Sequence, residues 1–289
     1  MAALGLFDGV HTAHRALLEK AAALGADGLV PCAFTFDTGS MGPLYKADQK
    51  PLISQAEKLR LMGEIGIAAV YSPQFAKISN MGPEEFFDSV LIKILSAKRL
   101  VCGYNFHFAK GALAGIRELQ RLCDAKGVSL TIFPRFEMDG ETVSSSAIRK
   151  HLLAGEVEEA NRLLGRPFAV QKSVVIGNRI GRRLGFPTVN QAMGEPELVP
   201  RHGVYASVTS FEGGRFRSIT NIGAKPTVTD NGQIFAETHL FGFGGDLYGK
   251  EITVELMSFL RDEKKFADVT ALKEQIAKDI KKAEAFFDV

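Results

Sequence analysis

Between Gly177 and Asn190 the chain reads Gly-Asn-Arg-Ile-Gly-Arg-Arg-Leu-Gly-Phe-Pro-Thr-Val-Asn, which concentrates glycine, arginine and oxygen-bearing side chains in one short stretch. Glycines let a backbone approach a ligand closely and arginines fork onto phosphate oxygens, so this is the composition of a loop that wraps a polyphosphate. Gly177, Gly181 and Gly185 recur every four residues, but Asn178, Arg179, Arg182 and Arg183 between them exclude the small-residue stripe of a membrane helix pair. Pro187 stiffens the exit. Thr188 and Asn190 then alternate at the start of an expected strand, where they share one face and offer neutral oxygen ligands to Mg²⁺. A mobile Gly/Arg surface loop has the same composition, and composition alone does not choose between the two.

Other clusters sit where strands are expected to end. His11 and His14, three apart in Phe7-Asp8-Gly9-Val10-His11-Thr12-Ala13-His14, open a helix whose N–H groups and dipole favour an anion. A zinc pair would need a third ligand that is not at suitable spacing. Gly103-Tyr104-Asn105-Phe106-His107-Phe108 offers a wall for an aromatic ligand or plain core. Ser144, Ser145 and Ser146 followed by Arg149 make either an anion site or an ordinary helix cap. Further on, Glu237 and His239 alternate with apolar residues and share one strand face.

The elements that must position these groups fall into two textures. From Met1 to about Leu164, apolar runs at 2–7, 29–36, 68–71, 100–103 and 128–133 alternate with helical patterns at 11–24, 54–65, 83–95 and 112–125. That alternation predicts a parallel sheet covered on both faces, with ligands at the carboxyl ends of its strands. Short helices at 148–153 and 157–164 lead to a linker, Gly165-Arg166-Pro167, which divides the chain into domains 1–164 and 165–289. Beyond it, strands at 169–176, 203–211, 215–221, 235–243 and 251–260, with a Gly213-Gly214 turn, predict a small barrel. Leu272, Ile276, Ile280, Ala283 and Phe287 form the apolar stripe of a closing helix that packs against the barrel or plugs it.

The chain's 289 residues with 46% hydrophobic content supply a core for each domain. The 35 basic against 33 acidic residues leave a net charge of +2, no argument for nucleic acid or an anionic membrane. Cys32, Cys102 and Cys123 lack metal spacing and read as buried thiols in a reducing cytoplasm. Neither a leader nor an apolar run of ~18 residues stands out.

The string Gly-x-x-x-Gly-x-x-Leu-Gly-Phe-Pro-Thr-x-Asn resembles riboflavin kinase, and the clusters at His11–His14, Asn105 and Ser144–Arg149 resemble the nucleotidyltransferase half of the bifunctional bacterial riboflavin kinase/FAD synthetase family. Order and spacing match over nearly the whole chain. The resemblance implies an α/β fold: a doubly wound, Rossmann-like nucleotidyltransferase domain, then a small β-barrel kinase domain. It implies ATP and Mg²⁺, with riboflavin and FMN as substrates. By resemblance, Gly177, Gly181, Arg182 and Gly185 cover ATP, Thr188 and Asn190 hold Mg²⁺ and phosphate, and Glu237 is the base that takes the riboflavin 5′-hydroxyl proton. Asn221 lies on a flavin edge and Arg261 in a flavin-covering loop. His11 and His14 contact ATP phosphates in the first domain, Ser145, Ser146 and Arg149 close on them, and Asn105 contacts nucleotide or flavin. The first half departs from the family pattern at Ala13 and Ala109, where glycine is usual, at Phe36-Asp37-Thr38, which lacks Pro-His-Pro, and at Ala114-Gly115, which replaces Gly-Asp. Each added methyl is costly where φ is positive.

Overall fold

The computed structural model describes residues 1–25, 28–37, 40, 50–177, 181, 184–194, 197–224 and 233–288. It comprises two compact units, Met1–Ser146 and Ala147–Val289.

In the first unit, strands β1 (Ala2–Leu4), β2 (Cys32–Phe34), β3 (Ala69–Tyr71), β4 (Arg99–Gly103) and β5 (Ser129–Phe133) form one sheet in the order β3-β2-β1-β4-β5. Every pairing is parallel, and the order reverses between β1 and β4, the point at which such sheets bind ligands. Alternate strand residues face opposite cores. Ala3, Ala33 and Val101 pack with Leu17, Leu18 and Ala21 of α1 (Thr12–Leu24) and Leu61 and Met62 of α2 (Gln55–Ile65). Ala2, Leu4, Phe34 and Leu100 pack with Phe86 of α3 (Pro83–Phe86), with Phe87 and Leu91 of the π-helical turn that continues it, and with Leu119 and Cys123 of α4 (Ile116–Lys126). Ser54 caps α2 by accepting from Glu57 N at 3.2 Å, as its Ser-x-x-Glu spacing predicts.

Three departures from expectation have local causes. The first strand stops at Leu4 because Phe7 turns into the left-handed region at φ 51°. The helix expected from Ala112 begins at Ile116: Phe108 and Ala114 bridge through Phe108 N→Ala114 O (2.9 Å) and Ala114 N→Phe108 O (3.2 Å), and Ala112 takes φ 57°. A hairpin of β6 (Glu137–Met138) and β7 (Glu141–Thr142) turns on Asp139-Gly140, both at positive φ; Asp-Gly is a hairpin signal that a reading for longer strands passed over.

Helix α5 (Ser145–Ala154) starts with the last two residues of the first unit, and in the second unit α6 (Val157–Leu164) precedes six antiparallel strands: β8 (Phe168–Ser173), β9 (Val189–Met193), β10 (Gly203–Phe211), β11 (Gly214–Ala224), β12 (Ile234–Leu240) and β13 (Glu251–Arg261). Their order is β8-β13-β10-β11-β12-β9, and Val175 N→Asn190 O at 2.8 Å brings the two edges together, so the sheet is a nearly closed barrel. The sequence places the divide after Leu164, whereas α6 clusters with the barrel because Asn161 donates to Leu256 O (2.8 Å) and accepts from Phe168 N (2.7 Å). Helix α7 (Val269–Phe287), capped by Asp268, packs on β10, β11 and β13 and buries Ala283 with Asp279. Inside the barrel the fully buried hydroxyls of Thr209, Ser218, Ser207, Thr220 and Thr238 form a continuous hydrogen-bonded file with contacts of 2.8–2.9 Å.

Candidate functional site

In the second unit, strand register assembles the predicted residues. Asn190 on β9 pairs with Glu237 on β12, and Glu237 with Asn221 on β11, so three polar side chains stand abreast on one face. The buried Asn190 Oδ1 has no hydrogen-bond partner, an uncompensated acceptor whose desolvation a cation or a donating ligand would relieve. The glycine loop lies against this row: a Cβ on Gly177 would meet Asn190 Nδ2 at 2.5 Å, and one on Gly181 would meet Thr188 Oγ1 at 3.2 Å and collide with Phe186 O. Phe186 N donates back to Gly181 O at 2.8 Å, and Gly185 turns at φ 88°. Gly177, Gly181, Thr188 and Asn190 are therefore brought together, while Arg182 lies outside the described residues, as do Asn178, Arg179, Arg183 and Thr227. Glu237 and His239 share the outward face, between buried Ala236, Thr238 and Leu240. The His239 ring bonds Pro187 O at 2.8 Å, fixing the loop's exit. A cavity of about 400 Å³ opens beside Thr188, lined by Pro187, Leu240, Phe243 and Tyr248.

Arg261, which the resemblance places in a flavin-covering loop, is paired at the end of β13 with α7. Its Nε and Nη2 donate to Asp279 Oδ2 at 2.9 and 2.6 Å, and Nη1 to Asp262 O at 2.8 Å. Asn221 Nδ2 faces Glu263 Oε1 at 3.5 Å.

In the first unit, His11 is the N-cap of α1, its Nδ1 accepting from His14 N at 3.3 Å. That acceptor role leaves the proton of a neutral His11 on Nε2. The two rings stack 3.5 Å apart at 16°, and Phe7 meets His14 edge-on. Burial, then the neighbouring His11 and Lys58, hold His14 well below the usual imidazole range, and its buried Nδ1 has no partner. Ser145 donates to Asp8 O at 2.8 Å. Ser146 is exposed; Arg149, one turn along α5 and counted with the second unit, is buried. Asn105 is exposed after β4, beside a cavity of about 900 Å³ lined by Tyr104, Phe106, Ala109, Lys110 and Arg117.

A family model described as riboflavin kinase matches residues 164–287, and one described as FAD synthetase matches residues 1–147. Proteins named bifunctional riboflavin kinase/FMN adenylyltransferase align almost end to end. The Listeria monocytogenes protein is 32% identical over 99% of this chain and 91% of its own length, the Escherichia coli K12 protein 34% over 98% and 91%. The chain belongs to this bifunctional family. A solved structure from Streptococcus pneumoniae, named a macrolide-efflux protein, superposes with a TM-score of 0.86 at 28% identity, covering 98% of this chain and 93% of that one. Among the described residues no helix is long and apolar enough to cross a membrane.

Family membership sharpens the departures in the first unit. Ala109 takes φ 66° and ψ −178°, a region that is essentially glycine's, so its methyl carries real backbone strain. Ala13 lies inside α1 without positive φ. Lys58, which sequence reasoning missed, is 1% exposed at the heart of the same unit. The available signal was its position one turn before the buried Leu61 and Met62, on the apolar face of α2.

Proposed function

We propose that the second unit moves the γ-phosphoryl group of ATP to the 5′-hydroxyl of riboflavin, and that the first joins AMP to the resulting FMN with release of pyrophosphate. The observation that carries the kinase reading is the row Asn190–Glu237–Asn221 with the glycine loop packed on Asn190. Thr188 and Asn190 would hold Mg²⁺, which would neutralise charge on the transferring phosphates; the orphaned Asn190 Oδ1 and the all-oxygen donor set fit such a hard cation. Glu237, on the neighbouring strand, accepts the proton of the attacking hydroxyl. Gly177, Gly181 and Gly185 leave room for the triphosphate, and the cavity beside Thr188 suits the base of the nucleotide. Asn221 meets the flavin edge. Arg261 serves through its grip on Asp279, fixing the segment that follows β13. Phosphoryl transfer depends mainly on positioning and electrostatics, which this arrangement supplies without a covalent intermediate.

For adenylylation, His11 Nε2 and the neutral His14 offer hydrogen bonds to phosphate at the N-terminus of α1, with Ser145, Ser146 and Arg149 contributing from α5 and Asn105 contacting nucleotide or flavin. The functional domains divide at the Gly165–Pro167 linker, a reading supported by the riboflavin kinase match beginning at residue 164. The cytoplasm suits the three buried free thiols, two of which burial holds up at about 12 (Cys102) and about 11 (Cys123).

Incubating the protein with riboflavin and Mg-ATP, and separately with FMN and Mg-ATP, then separating the flavins, tests both halves. FMN in the first and FAD with pyrophosphate in the second are expected. FMN without FAD would leave a kinase with a silent first unit, and neither product would overturn the reading.

A further inference from the structure

Lys58 on α2 is buried, and its Nζ donates to Phe36 O (2.9 Å), Thr35 Oγ1 (3.3 Å) and Leu6 O (3.4 Å). Thr35 Oγ1 in turn donates to Leu6 O at 2.8 Å. All three acceptors are uncharged and sit just past the carboxyl ends of β1 and β2. From there the chain enters the Phe7–His14 segment on one side and Phe36-Asp37 on the other. The first of these needs holding: Phe7 and Val10 adopt φ 51° and 40°, conformations costly for side chains of this size, β-branched Val10 above all. Among its other ties are Leu52 N→Asp8 Oδ1 (2.9 Å) and Ser145 Oγ→Asp8 O (2.8 Å).

A clamp on three neutral oxygens does not require a charge, and keeping an ammonium buried is expensive. We propose that Lys58 is a positioning residue for FMN adenylylation: its buried charge fixes the strand ends that present His11 and His14 and adds positive potential beneath the phosphates. This rests on the adenylylation reading above. The charged groups acting on it are Asp8 and Asp37, which favour the ammonium, and its own charge in turn helps keep His14 neutral. Burial outweighs the two carboxylates and brings Lys58 down to about 8. Its charge is therefore present below that pH and lost as pH rises through it.

The test follows kcat and KM for FAD synthesis between pH 7 and 9.5 in the parent, Lys58→Gln and Lys58→Arg, with FMN synthesis by the same chains as control. The parent is expected to lose FAD synthesis above about pH 8. Lys58→Gln, which keeps donors without charge, is expected to fall at least tenfold in kcat at pH 7.5 with both KM values within about threefold, and to lose that alkaline limb. Lys58→Arg is expected to recover part of the rate and move the limb upward. Parental rates and pH dependence in Lys58→Gln would overturn the proposal while leaving the adenylylation reading intact; no FAD from the parent would overturn both. Should Lys58→Gln fail to fold, an alkaline limb unchanged in Lys58→Arg would be decisive against it.

Discussion

The two units build their sites in opposite ways. In the barrel, Asn190, Glu237 and Asn221 are aligned by hydrogen-bonded register on three neighbouring strands, so the geometry is set by regular backbone and tolerates little ambiguity. In the parallel-sheet unit, the histidines open α1 directly after a turn with left-handed Phe7 and Val10, and left-handed Ala109 lies on the turn after β4. That site is held in place by side chains such as Lys58 and Ser145. A site made by register depends on a few side chains for chemistry. A site made by turns depends also on what each residue's φ allows.

The widest separation between the two comes from Glu237→Gln, expected to lower kcat for FMN synthesis roughly 10²–10⁴-fold while FAD synthesis from supplied FMN is unchanged; parallel assays of the two products check it. The mirror experiment is His14→Ala, expected to cost FAD synthesis roughly 10²–10³-fold through lost transition-state contacts with FMN synthesis intact. Smaller is Gly177→Ala, whose methyl would meet Asn190 Nδ2 at 2.5 Å. Displacing Asn190, the proposed Mg²⁺ ligand, is expected to lower FMN synthesis by about tenfold or more and to raise the Mg²⁺ concentration needed for half-maximal rate. A comparable loss of FAD synthesis in this variant would break the assignment of Gly177 and Asn190 to FMN synthesis alone.

The smallest effect sharpens the contrast in backbone. Ala109→Gly is expected to stabilise the first unit by about 1–2 kcal/mol by releasing its φ 66° strain, whereas Ala13→Gly, inside α1, is expected to destabilise it by about 1 kcal/mol. Thermal unfolding of the full chain, read by a probe in the first unit, distinguishes the two signs.

That sign difference marks where sequence reading stops. Ala13 and Ala109 look alike as glycine replacements, and only the fold reveals that one sits in a helix and the other in a glycine-type conformation. Alternation was enough to put Glu237 and His239 on one face, because strand periodicity is local, and the helix 157–164 follows from its apolar spacing alone. Strand pairing is non-local, so the row formed by Asn190, Glu237 and Asn221 was not legible without the resemblance. Arg261 shows the same limit: its ion pair with Asp279 joins a strand end to α7, 18 positions along the chain. Lys58 was missed because a lysine in an amphipathic helix ordinarily reaches water.

The file of hydroxyls inside the barrel gives this register an error check. Ser207, Thr209, Ser218, Thr220 and Thr238 lie on the inward face, while Asn221 and Glu237, each next in sequence to one of them, face outward. A slip of β11 by one residue would turn Asn221 into the buried interior and strand several hydroxyls without partners, at about 1–3 kcal/mol for each buried group left unsatisfied. Misaligned barrels are thereby penalised during folding before any ligand is present, so chains that reach a stable barrel already carry the outer row in its working alignment.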